Sequence, residues 1–422
     1  MSNVAPAVTV VGLNFPPEPT GISPYTGAMA RGLAERGVRV RAITAHPHYP
    51  EWQVSAGYGQ WSRKELLAGV HVHRLLHYVP KPPTGIRRLG SEITFGLRAS
   101  AARWGSPDAV VFVSPALFSS CIAMLKARSF HRRRPTIVWV QDLYSLGLSE
   151  TGQGSGFVGK IMQRAEGWLL RRADRVVVIH DRFARRVAED FAVRPERIEV
   201  VRNWTHLPPT PVVDRTEARR ARGWGDETVV LHAGNMGVKQ GLDNVVAAAR
   251  LADERGEDVR FVLLGNGGER DRLRASADGI RRIEFIDPLP DAEFTQALAA
   301  ADVLLVNELP GVAEMAVPSK LTSYFSTGRP VLAATDESGI TAEEVRTAGA
   351  GVVVAAGSPD ALLDGAVQLG SDPTASADLG ANGKRYRETV LDETFAIDRF
   401  ANLLTLLTNG GREQPEAHRT SL

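Results

Sequence analysis

The chain has a single cysteine, Cys121, among 422 residues. One thiol permits no intrachain disulfide and excludes metal sites built from cysteine pairs. Neither charge sign is in excess: the formal net charge is +2. A total that small creates no field of the kind that gathers polyanions, so nucleic acid is not an expected partner. The sequence pI of about 8.7 still leaves room for local basic faces. No apolar run is long enough to cross a bilayer. The opening residues, MSNVAPAVTVVGLNF, lack a basic segment followed by a long apolar core, so no secretory signal is expected. These absences lead to the expectation of a cytoplasmic protein whose membrane contact, if any, is peripheral. What is present is 43% hydrophobic and 23% charged residues. That balance and this length suit a globular protein of two ordinary domains.

The most informative stretch is 308–330, ELPGVAEMAVPSKLTSYFSTGRP. Ahead of it 301–306 reads as a buried strand, and 330–334 behind it as the next. Pro318, Ser319 and Lys320 open a helix that Gly328 stops. Proline is tolerated there because its missing N–H would be unpaired anyway. The first free amides attract an anion, and Lys320 adds a full charge. An ordinary crossover with a capped helix has the same pattern.

The rest of the chain alternates strands and helices. Residues 8–13 form a strand, 25–36 a helix and 38–44 a second strand, with the loop 14–23 between the first two. This is a βαβ unit whose loop lies where open α/β sheets bind ligands. Its glycine spacing is not the dinucleotide fingerprint, so no nicotinamide cofactor is expected. His46 and His48 fall in an irregular aromatic stretch and read as loop residues rather than metal ligands. The predicted helix 85–104 carries Ile86, Leu89, Ile93 and Leu97 on an apolar stripe, beside arginines 87, 88, 98 and 103. It suits either an anionic membrane surface or packing on the sheet. The strand 135–141 ends in Gln141-Asp142, which directs Asp142 either to a ligand hydroxyl or to capping the next turn. Asp181 is the expected N-cap of a helix that follows the strand 175–180.

The Pro-rich stretch 203–214 reads as a linker. A second series follows: a strand at 228–233, a glycine-rich loop at 234–241, then a strand at 259–264 ending in Gly265-Asn266-Gly267-Gly268. Glycines at strand-to-helix turns let backbone amides approach phosphate oxygens. The expected fold is α/β, with two Rossmann-like domains facing across a cleft. The domains span 1–205 and 206–390, a tail helix at 391–407 packs back on the first, and 408–422 is disordered.

On these motifs the chain resembles the family 4 glycosyltransferases of the two-Rossmann-domain GT-B type, in the subgroup that builds bacterial surface polysaccharides. The resemblance covers about residues 8–407. It rests on Thr20-Gly21, Gln-Asp-Leu-Tyr, GNMGVKQGLDN, LLGNGGER and above all PSKLTSYFSTGRPV. It implies a UDP- or GDP-type nucleotide sugar bound mainly by the second half and a lipid-linked or saccharide acceptor bound by the first. It also implies retention at the anomeric carbon, with no metal and no cofactor. The chain has no Asp-x-Asp, the metal–diphosphate ligand of the other main glycosyltransferase fold, which agrees. The implied donor-binding residues are Gly21, Gly234, Asn235, Gln240, Gly265, Asn266, Gly267, Pro318, Ser319, Lys320 and Ser323. Those implied in catalysis are Asp142, Lys239, Lys320 and Glu314. The family's phosphate-holding Arg and Lys are replaced by Asn235 and Gln240, with Lys239 one residue away. Its two glutamates fall on Met315, where Glu314 is adjacent, and on Ser323. Two other readings are an epimerase of the same fold acting on UDP-N-acetylglucosamine and a non-catalytic sugar-nucleotide binder.

Overall fold

The structure is a computed structural model, described over residues 5–19, 21–81, 85–130, 134–144, 157–204, 213–311 and 319–410. The chain divides into two compact units, Met1–His206 with Glu393–Leu422, and Leu207–Asp392.

The first unit holds an eight-stranded sheet. Its strands are β1 (Ala7–Val11), β2 (Arg39–Ala45), β3 (Ser62–Leu67), β4 (Val70–Leu75), β5 (Ala109–Val113), β6 (Thr136–Val140), β7 (Arg175–Val178) and β8 (Ile198–Val200). They lie in the order β3-β4-β2-β1-β5-β6-β7-β8, parallel except that β3 runs against β4. Strands β5 and β6, AVVFV and TIVWV, are buried at every position. That is what a parallel strand covered on both faces requires. Edge strand β3, SRKELL, is charged and largely exposed, a composition that discourages pairing with another chain. The same charge hid it from periodicity reading.

One local expectation is corrected, and two others gain detail. His180, not Asp181, is the N-cap of the helix Asp181–Phe191: its Nδ1 accepts from the Arg182 amide at 3.1 Å. The helix Gly85–Ala101 buries Ser91, Glu92, Phe95 and Ala99. Of the apolar stripe, Leu89 and Ile93 are half-buried and Leu97 is 58% exposed. His46 and His48 are buried, with His46 Nε2 2.8 Å from the Gln60 carbonyl and His48 Nδ1 3.3 Å from Glu18. They lie in the loop after β2 and brace it.

The tail helix Glu393–Gly410 belongs to the first unit. Its Ala396, Ile397, Phe400, Leu403 and Leu404 join the core formed by Met29, Leu33, Trp139 and Trp204. The Phe400 ring meets Trp139 edge-on at 4.9 Å, and Trp139 stacks on Trp204 at 6.1 Å. A Cβ at Gly32 would come 2.3 Å from Ile397 Cδ1, so glycine there sets how closely the tail helix approaches.

The second unit is a six-stranded parallel sheet in the order β11-β10-β9-β12-β13-β14. The strands are β9 (Thr228–Ala233), β10 (Val259–Leu264), β11 (Ile283–Ile286), β12 (Val303–Asn307), β13 (Val331–Thr335) and β14 (Gly351–Ala355). Successive strands from β9 run outward one way through β10 to β11. The chain then returns to place β12 on the other side of β9. The reversal makes β9/β12 the switch point, the place where such sheets receive ligands beyond their carboxyl ends.

Candidate functional site

Two glycine turns meet beyond β9 and β10. Gly234 has φ +128°, Gly265 φ +134° and Gly267 φ +158°. A Cβ on Gly265 would lie 2.1 Å from the Gly234 carbonyl oxygen, and one on Gly267 2.5 Å from the Met236 oxygen. Backbone thus packs on backbone with no room for a side chain. The Gly234 amide donates to Leu264 O at 2.9 Å, and the Met236 amide to Asn266 O at 2.8 Å. From below, the buried Asn307 side chain donates to the Gln240 and Gly241 carbonyls (2.8 and 3.0 Å) and accepts from Asn244 at 2.9 Å. The loop 234–241 is therefore fixed along its length.

The helix Ser319–Ser326 delivers Lys320 to these turns. Its buried Leu321, Tyr324 and Phe325 anchor it, and the Tyr324 hydroxyl accepts from the Ala233 amide at 2.9 Å. The Lys320 Nζ lies 3.9 Å from where a Gly234 Cβ would be and 3.4 Å from His232 Nε2. Burial pushes the Lys320 amine down to about 8, against the opposing charge of Glu308. Burial, then Lys320, holds the fully enclosed His232 ring well below its ordinary value, so it is neutral. Glu308, directly after β12, accepts from the Thr335 and Thr341 hydroxyls, the latter at 2.7 Å. Burial raises its pKa while those hydroxyls and Lys320 lower it. Among the described residues Lys320 forms no salt bridge, and its hydrogen-bond partner is the neutral imidazole. An ammonium set beside a glycine turn at a sheet's switch point has the charge and donors that suit an anion.

The structure brings together Gly234, Gly265, Gly267 and Lys320. Asn235, Asn266 and Lys239 are exposed around the same loops. The Gln240 side chain accepts from the Gly237 amide at 3.1 Å, so it closes its own turn. Ser323 is half-buried one turn after Lys320 on the same helix. Ser319 begins that helix, while Pro318, Glu314 and Met315 lie outside the described residues. Gly21 and Asp142 belong to the first unit. Gly21 has φ +68°, in the loop after β1. Asp142 is exposed after β6, where its carbonyl accepts from the Ser114 hydroxyl at 3.0 Å.

Two residues of the site, His232 and Glu308, escape sequence reasoning. The signal for Glu308 is present: a carboxylate at the carboxyl end of a parallel strand is the argument that singles out Asp142. His232 has no such signal, because it sits inside β9 among apolar neighbours.

Comparison with known proteins bears on the family and the fold. Residues 20–204 match the glycosyl transferase 4-like domain, and residues 227–372 match glycosyl transferases group 1. The putative colanic acid biosynthesis glycosyl transferase WcaI of Escherichia coli is 34% identical over 340 residues, covering 76% of this chain and 81% of that protein. Among solved structures, sucrose-phosphate synthase from Thermosynechococcus elongatus superposes with a TM-score of 0.70 at 17% identity, over 96% of this chain and 100% of the other. HepE from Anabaena in complex with UDP gives 0.65 at 16% identity, over 94% and 100%.

Proposed function

This chain belongs to the family 4 glycosyltransferases of GT-B fold, and from that premise we propose a retaining, metal-independent transfer of a sugar from a UDP- or GDP-type donor to a lipid-linked or saccharide acceptor. The observation that supports this most is the Lys320 ammonium held against the Gly234 turn. HepE, of similar fold, is a complex with UDP.

The chemistry follows from charge. As the bond between the anomeric carbon and the donor phosphate oxygen breaks, its electron pair passes to the diphosphate. Preorganised amides of the Gly234 turn and the Ser319 helix start, with Lys320 and Lys239, stabilise that charge as it develops. These fixed positive groups take the role that a divalent cation has elsewhere. In retention the acceptor oxygen bonds to the anomeric carbon from the face the diphosphate leaves, and the acceptor proton passes to a departing phosphate oxygen. Asp142 orients the acceptor hydroxyl.

The acceptor and the location rest on a different surface. Trp61 is 73% exposed and Leu97 58%, and the Arg98 guanidinium lies 3.3 Å from the Trp61 ring centroid. Arg87 and Arg88 are exposed on the same helix. Apolar and basic side chains on one helix favour the inner, anionic face of a plasma membrane.

The test is a thermal-shift and turnover screen with UDP, GDP and their sugars. Ligand at 100 times its Kd stabilises by about 2.7 kcal/mol. Slow release of the nucleotide from one donor without acceptor, blocked in Lys320→Met, is the expected outcome. No shift and no release with any donor would refute the proposal. Co-sedimentation with anionic vesicles, reduced by Leu97→Glu, is the expected result for the membrane contact.

A further inference from the structure

We propose that His232 is a positioning residue for Lys320: its enclosed, neutral imidazole accepts a hydrogen bond from the ammonium and holds it, charged, against the Gly234 turn. The inference deepens the donor-binding reading above and rests on it. Three observations carry it. The His232 side chain, on the penultimate residue of β9, is completely buried. Its Nε2 lies 3.4 Å from Lys320 Nζ, across from the Gly234 turn. The position that a nonpolar strand residue would fill is instead given to an imidazole ring with a nitrogen facing the amine.

A lysine ammonium moved out of water loses its proton unless something replaces the lost hydration. Among the described residues, the titratable groups acting on Lys320 are two. From β9 comes His232. From the residue after β12 comes Glu308, which acts on Lys320 by charge, without a salt bridge, and is itself tied to Thr335 and Thr341. Asp336, after β13, acts on Glu308. His232 therefore supplies the direct hydrogen bond that keeps the amine protonated and aimed. It does not titrate over the working range, because burial and Lys320 keep it neutral. Its contribution is an acceptor without the full negative charge that would compete with the incoming anion for the ammonium.

A structural role and a positioning role separate by pH. The chain has seven lysines, so their side-chain ¹³Cε resonances can be assigned by substitution and titrated in the ligand-free protein. The wild-type Lys320 midpoint is expected at about 8. In His232→Phe, or His232→Leu should the larger ring not fold, it should fall by about one pH unit or more, and in His232→Gln, whose amide oxygen reaches the Nε2 position, it should return. Affinity for UDP-glucose and GDP-mannose is then measured between pH 6 and 9. The apolar variant should bind within about twofold of wild type at pH 6, where Lys320 is charged in both, and about fivefold more weakly at pH 8. An unmoved Lys320 midpoint, or a loss of affinity equal at every pH, overturns the proposal and leaves the donor site standing. If the wild-type protein binds neither nucleotide sugar, the functional reading loses its support, while the lysine titration still decides whether His232 governs Lys320.

Discussion

Replacing Gly265 by alanine should damage the second unit and its anion site together. The added Cβ would sit 2.1 Å from the Gly234 carbonyl oxygen, and the residue would have to hold φ at +134°. Neither problem has a cheap escape, because the obstructing atom is backbone already fixed by the Gly234-to-Leu264 and Gly265-to-Ile286 hydrogen bonds. Backbone strain of this kind costs about 1–3 kcal/mol, and overpacking a further 1–3 kcal/mol or so. Together they approach the whole stability of a typical domain at its lower end, about 5 kcal/mol. If the strand ends separate to relieve the clash, Gly234 moves away from Lys320, and a loss of about 1.4 kcal/mol in binding is already tenfold. The control is Gly268→Ala, where the new methyl meets nothing within 4 Å. Urea unfolding and nucleotide titration of both variants form the assay. Gly268→Ala should stay within about 0.5 kcal/mol of wild type. A Gly265→Ala protein as stable as wild type, with undiminished nucleotide affinity, would refute the packing described for the two turns.

Other expectations follow from separate parts of the molecule. Lys320→Met should weaken binding of the preferred nucleotide sugar by about 10- to 150-fold, the worth of one hydrogen bond to a charged group, measured calorimetrically at pH 7. In the wild type that affinity should decline as pH rises through about 8, because burial has brought the amine's proton loss into this range. Phe400→Ala should cost about 3–5 kcal/mol, read as a lowered unfolding midpoint of the first unit, because its ring packs on Trp139. The buried His77, against His48 and Phe95, is held down to about 3 by burial first and by His48 and His46 after it. Its folded form refuses a proton that the unfolded chain accepts below about pH 6.5, so this stability is present above that pH and lost progressively down to about pH 3. His77→Phe should therefore lose about 2 kcal/mol less than wild type between pH 7.5 and 5, by denaturant unfolding at both values.

The alternating strands and helices were legible because parallel strands covered on both faces need unbroken apolar runs. VTVVGL, DAVVFVS and ADVLLV can be little else. The glycine turns were legible for a related reason: only glycine fits where two backbones touch, so its placement survives in the sequence as a pattern. The N-cap at His180 was missed because histidine caps far less often than aspartate, which stands next to it. The helix Gly85–Ala101 is legible, but not which of its faces is buried. Glu92 takes a buried position by accepting from the Phe118 amide at 2.9 Å, a partner no local pattern can announce. His232 was hidden for the same reason. Its meaning lies in a lysine 88 residues further on, and only the folded sheet brings the two into contact. The choice among transferase, epimerase and binder was decided by the family match.

The second unit is an insertion within the first, since residues on both sides of 207–392 build one core. During synthesis, the hollow that Ile397 and Phe400 finally fill stays open while roughly 190 further residues are made. At about 5–20 residues per second that interval lasts on the order of 10–40 s. For that time Met29, Leu33 and Trp139 present an apolar groove to whatever is nearby, and a ribosome stalled before the tail helix would display a binding face for chaperones that the finished enzyme does not have.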